Sequence, residues 1–348
     1  MKNMKIMLGI ALISSIFTLS SCSISLLAPE EVNPNPSISI NTTEDYSVPS
    51  PETKGSYKVT YVCNNGYTYQ STTTAQNKIL EPETPNKICS TFGGWYTDLD
   101  YKDLFDFSKP VNTDTTLYAK WDTDLVSLTN LASTKCIKAN VRIEITNYNK
   151  QGFGPLASMT DVSTSLGSGV IFYSDSTYYY ALTNHHVVYT NTAYQSLKLE
   201  DAFEKEYDFN IIAKDNTYDL AIIKFRKDED LEVISLADYD AYTNELVFAM
   251  GEPEGLSNTL SLGYILGTKV FTPDPSTLEK SNVNFSVYLN SAPIESGSSG
   301  GALLDSNLNL IGINFASAVD KDTDTFKYSY TIPSSRAREF VNKYLNIF

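Results

Sequence analysis

The 348 residues contain only two histidines, and they are adjacent, at 185 and 186 in the run TYYYALTNHHVV. Any reaction that needs an imidazole must use one of them. Acyl transfer by a hydroxyl is such a reaction, because serine is a weak nucleophile without a neighbouring base. The stretch SAPIESGSSGGALLD offers the hydroxyl. Ser296 to Gly301 are all small, a composition common in flexible joints. Here ALL follows at once and LIGI soon after, so the run reads as a turn pinned between strands. Glycines in such a turn let the backbone adopt unusual torsions and let a substrate carbonyl approach. If Ser299 is the nucleophile, the N–H groups of Gly297 and Ser299 are the natural donors to the oxyanion, roughly 3 kcal/mol for one donor. The base needs an orienting acid. NTYDLAIIKF sets Asp219 directly before an apolar run that reads as buried, with Asp215 as the competing acid. A carboxylate beside buried backbone costs energy unless it is partnered, and an imidazolium is such a partner. Adjacent histidines on extended backbone point apart and no third one exists, so no metal is expected, and acyl transfer by Ser, His and Asp needs no organic cofactor.

The elements that must hold these residues read as β-structure. KANVRIEIT, GSGVIFYS, TYYYALT, DLAIIKF, ELVFAM, NFSVYL and LNLIGIN are strand candidates within residues 123–348. Many short strands over that length imply a barrel or a pair of barrels. Only the tail SSRAREFVNKYLNIF reads as a helix, although Arg336, Phe340, Tyr344 and Leu345 do not make one clean stripe. The candidate groups occur in the order His, Asp, Ser. That is the chymotrypsin order, and neither the subtilisin nor the α/β-hydrolase order.

GSGVIF, ALTNHHVV, YDLAIIKF, AMGEPEGL, GSSGGALLD and LIGIN together resemble the trypsin-like serine proteases of the HtrA/Deg type, over about residues 167–316. The resemblance implies a mostly β fold of two six-stranded barrels with the site in the cleft between them. Its T-N-x-H-V-V register selects His186 as base, D-L-A selects Asp219, and G-x-S-G-G selects Ser299, with Gly297 and Ser299 lining the oxyanion hole. Ser296 and Ala302 stand where that family often has proline, and Glu295 replaces a common Asn. No peptide-binding PDZ module is expected after 123–348. Ser298 precedes the nucleophile where pancreatic-type zymogens have Asp, so no activation by N-terminal trimming is expected. Pro293 stands where pockets for Lys or Arg carry an acid, and Asn314 to Ser317 face it across the expected pocket. A small or medium apolar residue before the cut is therefore the better expectation.

Residues 1–21 have the form of an export signal. Lys2 and Lys5 open it, and an apolar core too short for comfortable spanning follows. Leu19-Ser20-Ser21-Cys22 resembles the bacterial lipobox, which implies lipidation of Cys22 and attachment to the outer face of a membrane. Residues 22–55, rich in Ser, Pro, Thr and Asn, read as a solvated tether. Residues 56–122 resemble the internalin-type B repeat (the Listeria–Bacteroides repeat), a small β-grasp-like module. The signature lies in Phe92, Trp95 and Trp121 within FGGWYTD and TLYAKW, while Cys63-Asn64-Asn65-Gly66 replaces the usual Gly-Gly pair. Cys63 and Cys89 are close enough in sequence to pair outside the cell. A net charge of −15 repels phosphate backbones and argues against nucleic acid as a partner. The expected partners are protein or peptide substrates and, through Cys22, a membrane. The expected activity is that of a surface-anchored serine endopeptidase; the rival reading is a protease-like adhesin that has lost catalysis.

Overall fold

Aromatic and β-branched residues alternating with polar ones dictate short, half-buried strands, and these dominate the chain. The computed structural model describes residues 56–345 and 347, except 75–76, 152–157, 191–194, 253–257, 321 and 324. The expected signal, Cys22 and the tether lie outside them. No helix among the described residues is long and apolar enough to cross a membrane.

The first sheet consists of β1 (Ser56–Val62), β2 (Thr68–Thr74), β3 (Ser90–Tyr96) and β4 (Thr115–Thr123), in the order β2-β1-β4-β3. β1 and β4 run parallel, and the other pairs are antiparallel. Trp95 is the centre of its core, with Phe92 and Tyr61 rings edge-on to it at 5.6 and 5.1 Å. Trp121 packs on Phe92 and donates its indole N–H to Cys63 O at 2.7 Å. The aromatics of the repeat signature are thus its core. Cys63 and Cys89 form no disulfide.

β4 leads into α1 (Leu125–Lys135), a helix the sequence reading did not expect. Asp124 caps it, its carboxylate accepting the N–H groups of Val126 and Ser127. Its buried face is narrow, only Leu128 and Ala132. Cys136 follows, with its thiol pushed up to about 12 by burial.

A seven-stranded sheet comes next. It comprises β5 (Asn140–Gln151), β6 (Ser158–Ser174), β7 (Tyr178–Thr183), β8 (Gln195–Asp201), β9 (Glu206–Tyr207), β10 (Phe209–Asp215) and β11 (Leu220–Arg226), in the order β10-β11-β7-β6-β5-β8-β9. The second half is a closed six-stranded barrel of β12 (Leu246–Gly251), β13 (Thr259–Val270), β14 (Ser286–Asn290), β15 (Ala302–Leu304), β16 (Leu310–Val319) and β17 (Phe326–Pro333). The fold is the expected mostly β double-barrel class, with one difference. Among the described residues the first barrel is an open half-barrel whose seventh strand, β9, has two residues. α2 (Ser334–Tyr344) confirms the expected terminal helix, but its buried apolar stripe is Ala337, Phe340 and Val341, so that of the residues singled out in the sequence only Phe340 belongs to it.

Candidate active site

The two halves meet around three loops. β7 ends at Thr183, and the chain turns through Asn184-His185-His186. The β10–β11 turn supplies Asp219, fully buried and at φ 51°, a left-handed conformation that Asp tolerates better than most residues. The turn is held open to this shape by Asn184, whose amide donates to Asp219 O at 2.9 Å. In return the Asp219 carboxylate grips the histidine loop twice. Oδ1 accepts the His186 backbone N–H at 3.0 Å, and Oδ2 lies 2.8 Å from His186 Nδ1. The pairing fixes a proton on Nδ1, so Nε2 is left as the basic nitrogen. His186 is partly exposed, as a proton carrier must be. Asp215, the competing acid, instead takes Lys343 at 3.0 Å at the molecule's edge.

Ser299 lies on the turn between β14 and β15, confirming that the small-residue run is pinned between strands. Its loop is fastened to the other half of the fold through Ser168 of β6, which is fully buried. Ser168 N–H donates to Ser299 O at 2.8 Å, and its hydroxyl donates to Gly297 O at 2.7 Å while accepting from Glu252 N–H. Gly300 carries the loop past this anchor: a Cβ there would stand 2.1 Å from Ser168 O. Gly300 N–H goes to Asn314 O, and Ser298 N–H closes back on Glu295 O. Among the described residues no acceptor takes the N–H of Gly297 or Ser299. The Ser299 hydroxyl itself leans to Phe315 O at 3.4 Å, a contact at the limit of hydrogen bonding, and makes no hydrogen bond to His186. His186 and Asp219 are thus brought together, and Ser299 stands in a separate hydrogen-bonding arrangement.

His186 forms a shared wall of two clefts. One of about 150 Å³ also involves Asp219, Phe271, Phe315 and Ala316. The other, about 280 Å³, involves Val187, Tyr189, Gln195 and Lys280. A chain crossing the site would have room on both sides of the imidazole.

Three contributors were not anticipated from sequence. Ser168 and Asn184 act by holding main chain, and both lie in the quoted GSGVIF and ALTNHHVV stretches, the signal that could have found them. The third is the segment 271–285 between β13 and β14. It reaches from the closed barrel across both loops: His185 Nδ1–H donates to Lys280 O at 2.7 Å, Asn282 N–H to Asn216 O at 2.7 Å, and the Asn216 amide to Leu278 O at 2.9 Å. His185 is therefore a strap anchor, pointing away from the Asp219 pairing.

Residues 167–313 match the trypsin-like peptidase domain, and residues 57–120 match the Listeria-Bacteroides repeat domain. The matched segments are thus similar to a trypsin-like peptidase domain preceded by a repeat of the Listeria-Bacteroides kind. The periplasmic serine endoprotease DegP of Salmonella typhimurium is 33% identical over 184 residues, 51% of this chain and 35% of that protein. The serine protease Do-like HtrA of Bacillus subtilis is 29% identical over 213 residues, 59% of this chain and 46% of that one. The chain spans between about a third and a half of the length of these curated relatives. The solved structure of the HtrA-type protease AlgW with decapeptide aligns over 63% of this chain and 68% of its own, at 24% identity and a TM-score of 0.49.

Proposed function

We propose that the protein is an exported serine endopeptidase in which His186 is general base and then acid, Asp219 orients it, and Ser299 attacks the substrate carbonyl. The observation that carries this reading is the double grip of Asp219 on His186, which holds the ring in one tautomer beside two clefts. On substrate entry the Ser299 hydroxyl turns from Phe315 O to His186 Nε2; hydrogen bonds of this kind are often long before substrate binds. Ser299 Oγ then bonds to the carbonyl carbon, and its proton passes to Nε2. The carbonyl oxygen becomes an oxyanion held by the Gly297 and Ser299 N–H groups. Collapse breaks the C–N bond, and the amine leaves with the proton from Nε2. Water repeats the sequence on the acyl-enzyme and frees Ser299.

The aromatic wall of Phe271, Phe315 and Tyr330, with rings 4.9 to 6.1 Å apart, and the lack of an acid at Pro293 favour an apolar side chain before the cut. Attachment of the mature chain through lipidated Cys22 belongs to the same reading, and Cys22→Ala should move the protein from the membrane fraction to the soluble fraction.

A fluorophosphonate probe tests the chemistry. The parent should be labelled, and Ser299→Ala should keep its fold and lose the label. A parent that resists the probe, or a variant that still takes it, would leave the adhesin reading in its place.

A further inference from the structure

The stretch by which the repeat departs from its resemblance, Cys63-Asn64-Asn65-Gly66, forms a tight turn closed by Cys63 N–H to Tyr67 O at 3.0 Å. The repeat itself makes this turn rigid. Asn64, at φ 51°, donates its amide to Ala119 O at 2.8 Å, and Asn65 donates to Asn86 O at 2.9 Å. Lys87 Nζ donates to Asn64 O at 2.9 Å. A turn this constrained is built to present something.

What it presents meets the closed barrel. Asn65 O accepts the side-chain amide of Asn307 at 2.9 Å. Gly66, at φ 92°, lies so close that a Cβ would stand 2.2 Å from the Tyr239 ring. On the barrel side the receiving surface is equally fixed. Asp305 is fully buried and accepts the N–H groups of Asn307 and Asn309 at 2.9 and 2.8 Å, and Tyr239 donates its hydroxyl to the same carboxylate. Glu245 is buried nearby and raised to about 8 by burial, with Asp305 adding to the shift. Lys87 faces these two acids; burial lowers its ammonium while their charges oppose that shift. Further along the repeat, Ile88 and Cys89 pack against the core of the peptidase half, and Cys89 O accepts Asp124 N–H, the capping residue of α1.

We infer that the repeat is a docked module whose partner is the closed barrel of its own chain. The Asn64–Tyr67 turn and Lys87 fill a seat made by Tyr239, Glu245, Asp305 and Asn307. The seat is shape-specific at Gly66, charge-complementary at Lys87 and hydrogen-bonded at Asn65. This face of the repeat is therefore closed to an outside ligand, and the repeat does not swing as a spacer. The seat also lies at the far end of strands that serve the active-site region. β12 begins just after Glu245 and ends at Gly251, whose Cα faces Ser298, and β15 runs from the Ser299 loop to Asp305.

Hydrogen exchange on the full chain tests the dock from both sides. Asn307→Arg puts bulk on the barrel side and leaves the repeat's sequence intact. Gly66→Ala does the reverse. Exchange at residues 64–67 should quicken about 10-fold in Asn307→Arg, the scale of one lost hydrogen bond. Exchange at residues 239–245 should quicken similarly in Gly66→Ala, even if that change unfolds the repeat. Should each substitution disturb only its own side, the seat carries no coupling and the inference falls.

Discussion

At the scale of single residues, one carboxylate determines the posture of His186. Asp219 holds both the backbone N–H and Nδ1 of that residue, so its charge and its shape can be separated by experiment. Asp219→Asn keeps the shape and can keep the main-chain contact, but its amide favours the wrong tautomer. We expect kcat for peptide hydrolysis to fall by about 10⁴ with the melting temperature little changed, following the behaviour of such substitutions in Ser-His-Asp sites. A loss below tenfold would mean that Asp219 does not orient the base. Ser168 acts at one remove: in the proposed mechanism it is a positioning residue for the Ser299 loop. Ser168→Ala removes the hydroxyl that joins Gly297 O to Glu252 N–H, at a cost of about 1–3 kcal/mol for the groups left unsatisfied. The expected signature is a fall in kcat with KM nearly constant, because the proposed oxyanion donors, the Gly297 and Ser299 N–H groups, would shift while the clefts would not. A change confined to KM would contradict that role.

At the scale of elements, the segment 271–285 is the feature with the most to test. It clasps the histidine and aspartate loops through main-chain contacts to His185 and Asn216. His185→Ala should leave the Asp219 grip on His186 intact yet expose residues 275–281 to added proteases, with faster nicking there than in the parent. Equal nicking rates would show that the segment is held by other means. The strands that were legible in the sequence are those whose residues are buried on a regular pattern. DLAIIKF is the clearest, because Leu220 to Ile223 of β11 are buried on both faces and read as an unbroken apolar run. β13 and β17 were missed because Leu262, Tyr264 and Leu266 of β13 are exposed and Tyr328 and Tyr330 of β17 only half-buried, which blurs the alternation. α1 was missed because two buried side chains in eleven residues make too thin a stripe, and only Asp124 announced it. In the site, the pairing of His186 with Asp219 and the pinned turn that carries Ser299 were legible from the motifs. Ser168 and Asn184 were not, since they satisfy backbone groups whose positions depend on the fold. Choosing His186 over His185 needed the register of the motif; in the structure the reason is physical, one ring meeting Asp219 and the other meeting Lys280 O.

At the scale of the whole molecule, the buried acids under the repeat set a pH dependence. Burial raises Glu245 from 4.5 to about 8, and Asp305 is raised in the same direction. The folded form therefore keeps protons that the unfolded chain has already released. Stability from this source is full below the unfolded value near 4.5 and declines as pH rises toward 8. Lys87 and Tyr242 share the cluster; Lys87 moderates the decline, since its charge favours the ionised acids. Glu245→Gln should flatten the fall in melting temperature between about pH 5 and about pH 8. Parallel curves for parent and variant would show that the proton is not held there.

Cys136, sealed between α1 and the first half-barrel, turns this architecture into its own gauge. A thiol with so high a pKa and so little access is inert toward alkylating reagents while the core stays shut. In a Cys63→Ser/Cys89→Ser background, the rate at which iodoacetamide captures position 136 would time the spontaneous breathing of the domain. The molecule thus carries a stopwatch for its own opening, readable by mass with no label introduced.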